Sequence, residues 1–350
     1  MSTPTRLAIL GATGSIGRQA LDVVKSHPDR LRVTRTGHRG DDLVALATAD
    51  DVDLVLVATP GIAGLEPTLA ALEAGKRVAL ANKEVLVVGG HLVRALAGGA
   101  GERLRPVDSE HSALWQCLAG VRAEDVARVT LTASGGALRD TPLGDLAGVT
   151  AERALRHPTW RMGPKVTIDS ATLVNKGYEV VEAHWLYGLP YERIDVVLHP
   201  DSVVHALVEL VDGSVIAQLA EPDMRLPIQY ALLWEHARGP AARLDLSRQR
   251  TLRFAGAPDP ARYPGFDAVL RAARSGDLRA MIGLSAADEV AVERFLAGEI
   301  SFAAIAGLLD RGAALSRGRP GQPAPTADEI RAIDLAARIA LADLPAGIPV

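Results

Sequence analysis

Short runs of leucine and β-branched residues alternate with amphipathic stretches over the first hundred positions: Leu7–Leu10, Ile16–Lys25, Leu31–Thr34, Leu54–Ala58, Leu65–Ala74 and Val78–Leu80. Apolar runs this short suit strands buried on both faces, and the stretches between them carry helical periodicity, so the pattern predicts βαβ units and a parallel sheet. Further along, Val203–Leu210 and Ser214–Leu219 flank Asp212-Gly213, a hairpin signal. Strands so apolar need a covering surface. Gly265–Ala273, Leu278–Leu296, Phe302–Leu309 and Ala327–Leu344 return to the helical period, with a loop over Gly318–Pro325.

Composition narrows the class. At 350 residues the chain is long enough for two or three domains. Its 48% hydrophobic residues and net charge of −4 are those of a soluble globular protein, and neither argues for nucleic acid or a membrane surface. A single cysteine, Cys117, excludes an intramolecular disulfide, and the N-terminus lacks the apolar core of a signal peptide, so the cytoplasm is the expected compartment. No apolar run reaches the roughly 18 residues a membrane span needs.

Directly after the first strand comes Gly11-Ala-Thr13-Gly14-Ser15-Ile16-Gly17. Glycines there let the backbone turn and approach a pyrophosphate at the positive end of the next helix, the pattern of a Rossmann-type cofactor loop. The spacing is G-x-x-G-x-x-G, so a tight strand-to-helix turn remains the alternative. At the end of the second strand, where an NAD enzyme usually places an acid, the chain has Arg35-Thr-Gly37-His38-Arg39. Basic groups there favour a 2′-phosphate and hence NADP, and a solvated basic turn is the competing reading. Leu80-Ala-Asn82-Lys83-Glu84 falls at a later strand end, where doubly wound folds bind ligands and where surface salt bridging would serve equally.

Pro106-Val-Asp108-Ser109-Glu110-His111 puts two carboxylates two positions apart, which in an extended segment converge on one face. Hard oxygen ligands and the lack of zinc-type cysteine spacing select magnesium or manganese. In a second stretch, Val166–Ile168 reads as a short strand and Ala171–Trp185 as a helix on which Asn175, Lys176 and Glu179 share a face. Those three are either a helix salt bridge or a site. In the second case Lys176, Asn175, Ser170 and Ser134 of Thr132-Ala-Ser-Gly-Gly136 bind a phosphate, and Glu179 joins the metal ligands. Between them, Arg156-His157-Pro-Thr-Trp160-Arg-Met162-Gly163-Pro164 fits neither period and reads as a lid or as an ordered proline-rich connection.

Together these motifs resemble the 1-deoxy-D-xylulose 5-phosphate reductoisomerase family over most of the chain. The most specific elements are GATGSIG at Gly11–Gly17, LANKE at Leu80–Glu84, PVDSEH at Pro106–His111 and TASGG at Thr132–Gly136. HPTWRMGPK at His157–Lys165, DSATLVNKGYEVVEAHWL at Asp169–Leu186, HPDSVVH at His199–His205 and DGSVIAQLAEPDMRLPI at Asp212–Ile228 follow in order. The resemblance implies a metal-assisted rearrangement of the sugar phosphate through retro-aldol and aldol steps, then hydride transfer from NADPH, giving 2-C-methyl-D-erythritol 4-phosphate for isoprenoid synthesis.

It implies Asp108, Glu110 and Glu179 as ligands of Mg²⁺ or Mn²⁺, and Ser134, Ser170, Asn175 and Lys176 around the phosphate. Ser109 and Lys83 would touch the rest of the substrate, with His157, Trp160 and Met162 acting from the lid. Cofactor contacts would come from Gly11, Thr13, Gly14, Ser15, Ile16, Gly17, Asn82, Glu84 and Gly163, with Ser202 and His205 near the site. One departure is a connection between the second and third strands that is several dozen residues shorter than the family's. There Gly37-His38-Arg39 replaces the family's basic turn, leaving Arg39, with His38, to meet the 2′-phosphate.

The expected architecture is α/β, with a shortened Rossmann-type NADP domain at 1–107 and a catalytic domain with a lid loop and dimerisation sheet at 108–240. A connector at 241–264 and a helical domain at 265–350 complete it, and a homodimer is expected. A dehydrogenase of another phosphorylated sugar and a non-catalytic NADP-binding sensor are the competing functions.

Overall fold

The computed structural model describes residues 3–248 and 251–342. In chain order its elements begin with β1 (Thr5–Leu10), α1 (Ser15–Ser26), β2 (Leu31–Gly37), α2 (Leu43–Thr48), β3 (Leu54–Val57), α3 (Leu65–Glu73), β4 (Arg77–Leu80), α4 (Glu84–Ala97) and β5 (Leu104–Pro106). Then come α5 (Ser109–Cys117), β6 (Val126–Ala133), α6 (Ala151–Ala154), α7 (Pro164–Thr172), α8 (Val174–Tyr187), β7 (Ile194–Leu198), β8 (Val204–Leu210), β9 (Val215–Leu219) and α9 (Arg225–Leu233). Four helices follow, α10 (Pro264–Arg274), α11 (Leu278–Leu296), α12 (Ala304–Leu315) and α13 (Ala327–Ala342). The chain forms two compact units, one of Met1–Thr132, Glu182–Asp195 and Asp201–Arg253, the other of Ala133–Val181, Val196–Pro200 and Phe254–Val350.

In the first unit, β1 to β5 form a parallel sheet in the order β2-β1-β3-β4-β5. The all-apolar runs have the expected consequence, since Leu7–Leu10 and Leu54–Val57 are fully buried, and Leu7, Ile9, Leu54 and Leu56 form one core with Ala20 and Val23 of α1 and Ile228 and Ala231 of α9. The connection from β2 to β3 contains only the six-residue α2. Asp42 caps that helix by accepting from the Ala45 N–H, Arg35 pairs with Asp51 at 3.1 Å, and the Lys76 ammonium donates to the Ala49 and Val52 carbonyls. The short link is thus a tied, ordered segment.

A second sheet has the order β7-β6-β8-β9, with β6, β8 and β9 antiparallel. The hairpin sits where Asp212-Gly213 predicts it, with Gly213 at φ +86° and the Asp212 carboxylate accepting from both N–H and hydroxyl of Ser214. Helix α5 packs on β8 and β9, while Val215 and Ile216 of the edge strand remain 55% and 37% exposed.

In the second unit the expected strand at Val166–Ile168 is instead part of helix α7. Pro164, at the first helical position after Gly163, has the fixed φ that starts a helix, and the Thr167 hydroxyl donates back to the Gly163 carbonyl. Three β-branched or apolar residues are too few for strand propensity to outweigh that start. Leu173, at φ +56°, breaks the chain between α7 and α8. The C-terminal helices form as the periodicity predicts, except that the helix expected at Phe302–Leu309 starts later and runs to Leu315. The last expected positions, 343 and 344, lie outside the described residues.

Candidate active site

The glycine-rich loop in the first unit needs its glycines for two different reasons. Gly11 adopts φ +89°, and a Cβ there would sit 2.5 Å from the Ala58 carbonyl oxygen. Gly17 is helical, but its Cβ would meet the Gly11 carbonyl oxygen at 2.4 Å. Small residues therefore let β1, α1 and the end of β3 close on one another. Gly14 precedes α1 without a side-chain cap, so the first-turn N–H groups at Ser15, Ile16 and Gly17 lack intrahelical acceptors and suit an anion. The Gly37 carbonyl accepts from the Gly11 N–H at 2.9 Å, tying the end of β2 to this loop, and leaves His38 and Arg39 exposed.

Asn82, 3% exposed, donates its amide to the Gly61 carbonyl at 2.8 Å and accepts from the Val85 N–H. Its side chain holds the β3 and β4 loops together, a role that sequence alone did not reveal. Lys83 and Glu84 are buried beside it.

The segment around Asp108 corrects the expectation of an extended pair. Asp108 is the N-cap of α5, accepting from the Ser109 N–H at 3.0 Å, and Glu110 lies in the first helical turn. An Asp followed by Ser-Glu before an apolar run is an N-cap signal, and capping outweighs strand alternation here. Lys83 donates to Asp108 at 2.9 Å and the Ser109 hydroxyl to Glu110 at 2.5 Å. Donor atoms of Asp108, His111 and Glu182 lie within 4.8 Å of one another, but the His111 imidazole is taken up at 3.1 Å by the fully buried Glu182 carboxylate. Burial raises the pKa of Glu182 and His111 counteracts it, so this pair acts as an internal brace. Ser202, at φ +52°, and His205 are buried in the same unit.

In the second unit, the Ser134-Gly-Gly turn folds against α7, with Gly136 at φ +70° and its Cβ position 2.3 Å from the Ser170 carbonyl oxygen. The Ser134 hydroxyl accepts from the Gly136 N–H and lies 3.0 Å from His157 Nε2. His157 Nδ1 receives the Thr159 and Trp160 N–H groups at 3.1 and 2.8 Å. Those two donors leave Nδ1 unprotonated, so the imidazole is neutral and its Nε2–H donates to Ser134. Burial and the nearby Arg139 guanidinium push the His157 pKa down to about 4, in agreement.

Residues 156–163 have no regular structure, with Trp160 and Met162 half-buried and Gly163 exposed. On α8, Asn175 donates to Glu179 at 2.6 Å and Lys176 also contacts it, so the shared face read from the spacing is formed. Lys176, Glu179 and Ser170 are all buried. Burying an ammonium, a carboxylate and a hydroxyl costs free energy unless they are paired, as Lys176 and Glu179 are here.

Models of the 1-deoxy-D-xylulose 5-phosphate reductoisomerase family match residues 7–40 and 34–90, and two C-terminal domain models of that family match 104–187 and 219–340. Reductoisomerases of Thermomicrobium roseum and Geobacillus kaustophilus are 47% and 46% identical, over 95% of this chain and 95% and 97% of theirs. The chain belongs to the 1-deoxy-D-xylulose 5-phosphate reductoisomerase family.

A solved reductoisomerase in complex with NADPH, fosmidomycin and magnesium superposes with a TM-score of 0.88 at 36% identity, covering 96% of this chain and 97% of that one. The Zymomonas mobilis reductoisomerase in complex with NADPH gives 0.87 at 36% identity, covering 99% and 100%. The N-terminal reductoisomerase model matches in two segments that overlap at 34–40, at the end of β2 and the start of the link to β3. No described helix is long and apolar enough to cross a membrane.

Proposed function

We propose that this chain isomerises and reduces 1-deoxy-D-xylulose 5-phosphate to 2-C-methyl-D-erythritol 4-phosphate, with NADPH and Mg²⁺ or Mn²⁺, in non-mevalonate isoprenoid synthesis. The observation that carries the reading is family membership along nearly the whole chain, joined to intact catalytic motifs. Asp108, Glu110 and Glu179 hold the cation. The donor set fits a hard ion: these are carboxylate oxygens, and the one cysteine, Cys117, is buried with its thiol pushed up to about 11. The loop at Gly11–Gly17 fits a pyrophosphate, because Gly14 starts α1 without a side-chain cap and leaves the first-turn N–H groups to an anion. When bound, the cation supplies a Lewis acid for the substrate's neighbouring oxygens, and NADPH supplies the hydride.

The chain's own residues then have separate tasks. Lys83 balances the Asp108 charge and reaches substrate with Ser109. Ser134, Ser170, Asn175 and Lys176 bind the phosphate, and that remote binding fixes the reacting carbons. Because His157 donates to the Ser134 oxygen, the Ser134 proton is free to turn toward a phosphate oxygen. Trp160 and Met162 exclude water from above, and Arg39, with His38, meets the 2′-phosphate. Residues 1–107 serve the cofactor and 108–240 catalysis and dimerisation, joined through 241–264 to the helices of 265–350. The enzyme works as a cytoplasmic homodimer.

NADPH absorbance followed with 1-deoxy-D-xylulose 5-phosphate, first with Mn²⁺ and then after EDTA, tests the reading. Metal-dependent oxidation is expected. A folded protein that binds NADPH without oxidising it would favour the sensor, and oxidation insensitive to EDTA would favour a simple dehydrogenase.

A further inference from the structure

The C-terminal helices carry no catalytic motif, yet α11 buries a carboxylate on its apolar face. Asp288 is 0% exposed among Ala286, Ala287 and Ala291. Its Oδ2 lies 2.8 Å from the Lys165 ammonium and accepts the Tyr178 hydroxyl at 3.2 Å, while its Oδ1 is buried without a hydrogen-bond partner. Lys165 also pairs with Asp169 at 2.6 Å and lies 5.3 Å from the centre of the Tyr178 ring. One side chain of α11 thus ties α7, through Lys165, to α8, through Tyr178.

The arrangement is costly as a purely structural device. Lys165 is the second residue of α7, where the helix dipole repels a cation, and two carboxylates are buried around one ammonium. A well-packed apolar contact between three helices would be at least as stable. What the cluster supplies is a fixed register. Asp169 immediately precedes Ser170, and Tyr178 follows Asn175 and Lys176 by less than one turn, so the tie point adjoins two of the sequence stretches assigned to the phosphate. Between them the chain reverses at the left-handed Leu173, which by itself sets no unique angle between α7 and α8.

We propose that Asp288 is a positioning residue for phosphate binding: through Lys165 and Tyr178 it fixes α7 against α8, so that Ser170 meets the substrate phosphate together with Asn175 and Lys176. This rests on the phosphate assignment made above. Asparagine at 288 would retain the shape, remove the charge and leave a buried amide hydrogen unpaired.

The test compares wild type, Asp288→Asn and Tyr178→Phe in the full-length protein with NADPH and Mn²⁺. Asp288→Asn should raise KM for 1-deoxy-D-xylulose 5-phosphate by roughly tenfold, as loss of a buried charge-assisted bond predicts. KM for NADPH should stay within about twofold, and amides of 165–176 should exchange hydrogen faster. Tyr178→Phe, which removes one donor and no charge, should shift both readouts the same way by less, and it decides the matter if Asp288→Asn is insoluble. Unchanged sugar-phosphate KM in folded variants, or equal loss for both substrates, would overturn the proposal. Wild type that fails to turn over the sugar phosphate would instead overturn the parent reading, and the exchange rates would then decide whether Asp288 couples the two helices.

Discussion

Glu179 and His157 show how much a single side chain can carry. Glu179 is 1% exposed and already engaged by Asn175 and Lys176, so its charge is held in place before any ligand arrives. Glu179→Gln should lower kcat at least about a hundredfold, since even outer partners of a metal site cost ~10–100-fold, with NADPH affinity unchanged. Steady-state turnover at saturating Mn²⁺, alongside fluorescence titration with NADPH, checks this, and wild-type turnover would remove Glu179 from the ligand set.

His157 titrates at about 4 when folded, below its ordinary 6.5. As pH falls from 6.5 toward 4 the unfolded chain therefore takes up the proton first, and the stability present above 6.5 is progressively lost. Melting curves of the unliganded protein should show that loss, and His157→Gln should flatten it between those limits. The sequence named Glu179 through the helix face it shares with Asn175 and Lys176, and His157 through a segment that fits neither period. Asp288 was passed over, although a charge on the inward face of an otherwise apolar helix is itself a readable signal.

At the level of elements, the parallel strands, α1, the β8–β9 hairpin and the C-terminal helices followed from apolar periodicity, because in each the buried face sets the pattern. The reading failed where local chemistry outweighs periodicity. Val166–Ile168 looked like a strand until Pro164 started a helix through it, and Asp108 left the extended pattern to cap α5. The Ser134-Gly-Gly136 turn was legible from its glycines, but its close approach to α7 was not, since backbone contact leaves no trace in hydrophobicity. With φ +70° and no room for a Cβ, Gly136→Ala should push the turn off α7 and cost about 2 kcal/mol or more. Chemical denaturation gives that figure. The sugar-phosphate KM should rise with it, whereas a variant as stable as wild type would mean that the turn accommodates a methyl group by moving.

For the molecule as a whole, the apolar edge of the second sheet is the feature that an isolated chain leaves uncovered. Val215 and Ile216 are exposed on β9 although α5 already packs against that sheet, so a second copy is the expected cover. Sedimentation velocity should give twice the chain's mass, and Ile216→Lys should shift it toward the monomer. A wild-type monomer at micromolar concentration would assign that edge to something else. Neither periodicity nor motif spacing distinguishes a second copy from the chain's own helices, because the demand for burial is the same in both cases.

The short link from β2 to β3 also bears on how the chain folds. Pairing β1 with β3 brings Leu7 to Leu54 across the whole of β2 and the link. Loop-closure entropy grows only logarithmically, by about 0.6 kcal/mol for each doubling of length. Even two doublings of that link would therefore add only about 1.2 kcal/mol to the cost of assembling the sheet. The link leaves β2 at Gly37, which is bonded to the glycine-rich loop, so its length is expected to show in the dwell time of NADPH on the enzyme, measured by stopped-flow displacement.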